Sequence, residues 1–341
     1  MSTQGDERTW LSTVSLLVLA AVAVTVALIY TRTVMVPFVL ALLFYYIVSP
    51  IVDGMQTRLK MPRGVSIFIA LLCVGGLLTL LVMLITVSTR GLADSAPIYR
   101  ERIQSMAQGV FSILDRFQID LGQNDIVDGL RQLPIFSVVR STAGGVVSFV
   151  SSSVLVLIFT IFLLAGRQPQ ETRPAIYAEI DVKIRRYLLT KVTVSAVTGL
   201  LVWAILAVMG LDLALVFGVL AFFLNFIPNV GSVIATLLPI PLAFVQFDSA
   251  VRIALVIALP GVVQMTVGNV LEPKLMGEGL DLHPISILLA LVFWGLIWGV
   301  VGMLLAAPIT AVLRIVLDRF ETTRPIARLL AGQLPGAESI A

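Results

Sequence analysis

Uncharged apolar stretches alternate with short polar ones along almost the whole chain, and their lengths predict membrane-spanning helices. Thr9 to Thr31 carries no charge, Arg32 follows, and Thr33 to Val52 is again uncharged. Each run reaches the ~20 apolar residues that cross a hydrocarbon core, so they read as two spans joined by a tight turn. Pro37 and Pro50 fall near the ends of the second, where a lost backbone donor costs least. Further spans are expected over Gly64 to Thr89, Ser141 to Gly166, Val192 to Leu211 and Arg252 to Leu271.

Two apolar stretches have the wrong form for simple crossings, and they resemble each other. From Gly210 to Ile240 the chain reads GLDLALVFGVLAFFLNFIPNVGSVIATLLPI, and from Gly279 to Ile309 it reads GLDLHPISILLALVFWGLIWGVVGMLLAAPI. At one constant offset Gly210/Gly279, Asp212/Asp281, Leu220/Leu289, Ala221/Ala290 and Pro239/Pro308 coincide, which predicts an internal duplication. The first copy is broken at Asn225, Pro228, Asn229 and Gly231 into halves of roughly 16 helical residues, about 24 Å each against a core of about 30 Å. Two short half-helices meeting at such a break predict a re-entrant hairpin. As one straight helix, the second copy would export Arg314, Arg319, Arg324 and Arg328; turning near Gly299 to Gly302 returns them to the cytoplasm, as the positive-inside rule favours. The motif then enters once from each side, which is the inverted-repeat arrangement of many transporters.

Between Arg90 and Arg140 the character changes, because six arginines there balance six acids. Ile103, Met106, Val110, Ile113, Leu114 and Phe117 follow helical spacing and predict an amphipathic helix packed on the spans or on a second copy in a homo-oligomer. Basic excess in Asp53 to Arg63 and in Arg167 to Lys191 marks those loops as cytoplasmic, which puts both termini inside and the insert outside. Pro174 to Lys191 is expected to ride on anionic headgroups. The expected domains are thus residues 1–89 with three spans, the insert 90–140, residues 141–211 with two spans and a basic loop, the repeat core 210–317, and a polar tail 318–341.

Composition narrows this further. With 58% hydrophobic and 13% charged residues, against about 25% charged in soluble domains, the chain is an all-α polytopic membrane protein of about eight membrane segments, with the small helical insert outside the bilayer. The net charge of +3 is placed by topology and does not call for nucleic acid. Asp6 and Glu7 near the start argue against a cleaved signal peptide. Cys73 and His283 are the single cysteine and histidine, so neither a disulfide framework nor a metal centre is expected, and no cofactor.

Three blocks carry a family likeness: LNFIPNVGSVIATLLPIPLAF from Leu224, LEPKLMGEGLDLHPISILLAL from Leu271 and WGLIWGVVGMLLAAPITAVLRI from Trp294. They resemble the signature blocks of the autoinducer-2 exporter family of PerM-like permeases, and the likeness extends over nearly the whole chain. It implies a bacterial inner-membrane permease, with members credited with export of the signal autoinducer-2 in quorum sensing and others with sodium/proton antiport.

Candidate substrate-binding and gating residues follow from the breaks. Pro228 removes a helical hydrogen bond and Gly231 permits positive φ, which together free backbone groups for a solute, while Asn225 and Asn229 add amides suited to a hydroxylated or zwitterionic one. Gly299 and Gly302 take the corresponding place in the second copy. For coupling to a proton or sodium ion the candidates are Asp212 and Asp281 ahead of each hairpin, Glu272 and Lys274 flanking Pro273, and His283. Against these stand plainer roles: helix capping for the aspartates, a snorkelling interfacial pair for Glu272 and Lys274, a structural histidine. A secondary transporter of a small polar or signalling molecule is the leading expectation, and an ion antiporter the alternative. A scaffold built on the insert is a weaker one, and an enzyme has no H-E-x-x-H or G-x-S-x-G to support it.

Overall fold

A computed structural model describes residues 3–77, 79–80, 83–87, 154–166, 175–228, 230–276 and 282–333. The expected insert, Asn229, Asp281 and the end of the tail lie outside the described residues. Every regular element among the described residues is a helix. Helices α1 (Thr3–Tyr30) and α2 (Arg32–Leu59) are parted by Thr31 alone, whose amide still donates to Ala27 O. Helix α2 runs on through Pro50 to Leu59, so this proline is interior and not terminal as expected. Shorter apolar helices α3 (Arg63–Leu77) and α4 (Val154–Ala165) follow.

The largest departure from the sequence reading is α5 (Ala175–Val208), one continuous helix of 34 residues. No headgroup helix is separated from a fifth span here. Lys191, counted above among loop cations, sits inside this helix at 2% exposure. The apolar run that seemed to begin after it begins earlier, because Ile180–Val208 already has the length and composition of a crossing, as do Arg32–Leu59 and Ala250–Leu271.

The first repeat forms α6 (Ala214–Leu224), α7 (Val230–Leu237) and α8 (Ile240–Gln246). Helices α6 and α7 pack on one another across the break. A Cβ on Gly231 would lie 1.8 Å from Leu224 O, so only glycine lets α7 start against the end of α6. This close approach, and not a positive φ, is what the position needs. The break is also largely self-satisfied: Phe226 N donates to Phe223 O, Ile227 N to Leu224 O and Gly231 N to Ile227 O. The side chain of Gln246 staples the ends together, its Nε2 donating to Gly210 O at 2.7 Å and its Oε1 accepting from Asp212 N at 2.9 Å.

Next, α9 (Ala250–Thr266) carries Pro260 buried in its interior and passes through a π-helical turn, Val267–Leu271, into α10 (Glu272–Met276). Gly261 of α9 faces α7, where a Cβ would make an ordinary contact with Thr236 Cγ2 at 3.6 Å.

In the second repeat, α11 (Pro284–Asp318) has 35 residues and by length would make one crossing, but its backbone reverses at Gly299, with φ 65° and ψ −143°. Trp294 Nε1 donates to Thr310 Oγ1 at 3.2 Å. In a straight helix those residues would stand about 24 Å apart. A Cβ on Gly302 would lie 1.9 Å from Trp294 O. The two arms therefore lie against each other, with the turn where the sequence placed it. Pro308 is absorbed within the second arm, whereas its counterpart Pro239 separates α7 from α8. Helix α12 (Arg324–Leu330) closes the described chain, and its Leu330 O accepts from His283 N at the start of α11.

The chain divides into two compact units, one of Met1–Tyr46, Leu155–Ile184 and Leu280–Ala341, the other of Ile47–Val154 and Arg185–Gly279. In the first, Trp298 Nε1 donates to Leu28 O, an orphan carbonyl of the last turn of α1. In the second, Leu206, Ala221, Leu242, Ala243 and Val256 form the centre of one core. Many large apolar side chains face outward, among them Leu19, Phe68, Leu200, Val262 and Leu296. On a water-soluble surface such patches would drive association; on a multi-pass membrane protein they face acyl chains.

Candidate functional site

A cavity of about 450 Å³ opens within the second unit, walled by α5, the break between α6 and α7, α7 itself, α9, the π-helical turn and α10. Local irregularities shape part of this wall. Pro228 lies in the break between α6 and α7, and the π turn carries Gly268 and Asn269 into the lining. Single π-helical turns inside α-helices recur at functional sites, because the extra residue redirects side chains.

At one end of the cavity Lys191 Nζ is paired with Glu272 Oε1, joining α5 to the start of α10. The ammonium side chain is 2% exposed and the carboxylate 19%. Lone charges so placed would be prohibitive, and pairing is what makes them tolerable. The plainer alternative to a coupling role paired Glu272 with Lys274; the partner of Glu272 is instead Lys191, while Lys274 is exposed on α10.

At the break, Asn225 is 5% exposed and its Nδ2 donates to Ser195 Oγ at 3.0 Å, so one amide function is spent on holding the break to α5. Ser232 and Thr236 of α7 line the cavity, with Thr236 Oγ1 donating to Ser232 O. Across from them Gln264 of α9 is 5% exposed, and neither its Nε2 nor its Oε1 has a hydrogen-bond partner among the described residues.

Of the residues singled out from sequence, Asn225, Pro228 and Glu272 come together on this wall. Gly231 shapes the break behind it. Asp212 does not line the cavity; Leu213, with φ 58°, holds the cap position of α6 and gives it no side-chain bond, and Asp212 lends its backbone amide to Gln246. Gly299, Gly302 and His283 belong to the other unit. His283 caps α11, its Nδ1 accepting from Ile285 N at 3.3 Å. Sequence reasoning missed Lys191 and Gln264. For Gln264 a signal existed, since a polar side chain midway along an apolar run marks function by default.

Comparison with known proteins brings the chain close to transporters. The sequence profile described as AI-2E family transporter matches residues 16–322. The AI-2 transport protein TqsA of Escherichia coli (strain K12) is 32% identical over 314 residues, covering 89% of this chain and 90% of that one. YhhT of the same organism, classed provisionally as a transport protein, is 28% identical over 339 residues, covering 94% of this chain and 96% of its own. A provisional transport protein of Borreliella burgdorferi is 28% identical over 312 residues, covering 87% and 84%.

Proposed function

Because the chain belongs to the AI-2E family of transporters, we propose that it is a secondary permease that moves a small polar solute by alternating access, with the cavity between α7 and α9 as its solute site. That it is a membrane permease follows from the family and the apolar helices. The observation that carries the finer reading is the wall itself: amides, hydroxyls and an ion pair gathered at a helix break inside an apolar bundle. The arms α6 and α7, about 16 Å and 12 Å long, are each too short to cross a core of about 30 Å, so the first hairpin is read as re-entrant. The arms of α11 before and after Gly299, about 22 Å and 28 Å long, are read as its inverted counterpart. On this reading the chain lies in the bacterial inner membrane with both termini cytoplasmic.

Autoinducer-2 is the first solute to try, because TqsA is named an AI-2 transport protein. Sodium/proton antiport is not adopted, because Glu272, the carboxylate lining the cavity, is tied to Lys191. The test is efflux of autoinducer-2 from proteoliposomes holding the native chain or Thr236→Trp, which fills the cavity from α7. Native-like folding with at least a tenfold loss of flux is expected. Undiminished flux through the filled cavity places the pathway elsewhere.

A further inference from the structure

Among the described residues that line the cavity only Lys191 and Glu272 are formally charged, and they face each other. With the proton on Nζ the wall holds one charge of each sign; with it on the carboxylate both groups are neutral. The wall therefore sums to zero in either state. A solute with net charge entering here must remain uncompensated within a low-dielectric wall or pull the pair apart. Pulling it apart strands Lys191, which is 2% exposed, without its counter-ion. A solute without charge meets neither penalty.

Gln264 supplies the second observation. Its amide presents two donors on Nε2 and two lone pairs on Oε1, all without protein partners among the described residues. A buried amide left unpaired is a standing penalty that a ligand presenting a donor and an acceptor side by side removes. Asn269 on the π turn and Ser232 on α7 share that wall.

Resting on the reading of this cavity as the solute site, we infer that the solute is a small uncharged molecule held by paired donor and acceptor contacts to Gln264, and that the Lys191–Glu272 pair is an electroneutral filter that turns away anions and cations alike. This assigns the pair to selectivity. It needs no ion to be carried with the solute.

Three thiol reagents of one chemistry test the filter without knowledge of the solute. A single cysteine, Ser232→Cys in a Cys73→Ser background, is placed on the cavity wall of the full chain in detergent. The hydroxyethyl, trimethylammonium-ethyl and sulfonatoethyl methanethiosulfonates each transfer their thio group to the thiolate with loss of methanesulfinate. Rates are divided by those for free mercaptoethanol to remove intrinsic reactivity. The uncharged reagent should react at least tenfold faster than either charged one. Adding Glu272→Gln should raise the relative rate of the sulfonate severalfold, and adding Lys191→Met that of the ammonium. Equal normalised rates for the three reagents in the parent protein overturn the filter while leaving the cavity as a solute site. No labelling by any reagent, in protein that labels fully once denatured, overturns the solute site itself and the filter with it. Should either pair variant fail to fold, the three rates on the parent decide the matter.

Discussion

The two hairpins share one device and differ in what surrounds it. In each, a glycine on the returning arm sits against a backbone carbonyl near the end of the first arm, Gly231 on Leu224 O and Gly302 on Trp294 O. Around the first, the break spans several residues and its neighbours are Asn225, Ser232, Gln264 and the Lys191–Glu272 pair. Around the second, the chain reverses at Gly299 alone, and the polar atoms of the turn region are consumed by protein: Trp294 Nε1 by Thr310, Trp298 Nε1 by Leu28 O. Both stretches fold back, and among the described residues the amide of Gln264, on α9 beside the first break, is left without a partner. The lesson is that the shared glycine belongs to folding, and function is to be sought in what the copies do not share.

The largest expected effect therefore falls on both hairpins equally. A Cβ added at Gly231 or Gly302 would stand 1.8 or 1.9 Å from a backbone carbonyl, and no flexible side chain is there to yield. Gly231→Ala and Gly302→Ala should each cost more than about 4 kcal/mol and lower the yield of folded protein, read as thermal unfolding in detergent. If one variant unfolds like the native chain, the device is not shared and the comparison breaks.

A smaller effect falls on the buried Lys191–Glu272 pair beside the first copy. Glu272→Gln strands Lys191 at 2% exposure, whereas Lys191→Met strands a carboxylate that keeps 19%. Removing one partner of a buried pair costs about 3–5 kcal/mol, so Glu272→Gln should lie at the upper end and Lys191→Met below it. The double variant should recover most of that loss, because no unpaired charge remains. A double-mutant cycle in urea or heat measures this, and additive costs would mean that the two groups do not interact.

What was legible in the sequence, and what was not, follows the range of the interaction. Apolar runs marked helices well, because a bilayer punishes any backbone left unbonded and allows few alternatives. The backbone reversal within α11 falls at Gly299, inside the stretch the sequence reading had marked for a turn. The start of α5 was misread, because Lys183, Arg185, Arg186 and Lys191 look alike as letters although only Lys191 is buried by a partner 81 positions away. Nothing near Lys191 announces Glu272. Likewise Gly231 was chosen for its freedom of φ, whereas it serves a close approach that no local pattern reveals. Asn225 and Pro228, which line the cavity, were singled out because a helix break is a local event.

The smallest effect is the one that most sharpens the contrast, because it should change sign between the copies. Thr310 and Gln264 are both polar and nearly buried, at 4% and 5% exposure. Thr310 accepts from Trp294, so Thr310→Val keeps the shape and leaves a buried indole N–H without a partner, a loss of about 1–3 kcal/mol. Gln264 has no partner to lose, so Gln264→Leu removes an unsatisfied amide and should stabilise the protein by about 1 kcal/mol. Function should move the other way. Flux is expected to fall at least fivefold in Gln264→Leu and to stay within twofold of native in Thr310→Val, provided that enough of the latter is folded to compare per active molecule. Thermal unfolding and flux measured on the same preparations give all four values. A residue that lowers stability yet is required for activity is what a binding group looks like before its ligand arrives, since its hydrogen bonds are kept for the solute. If Gln264→Leu instead loses stability, the amide is a structural group and the first hairpin differs from the second only in shape.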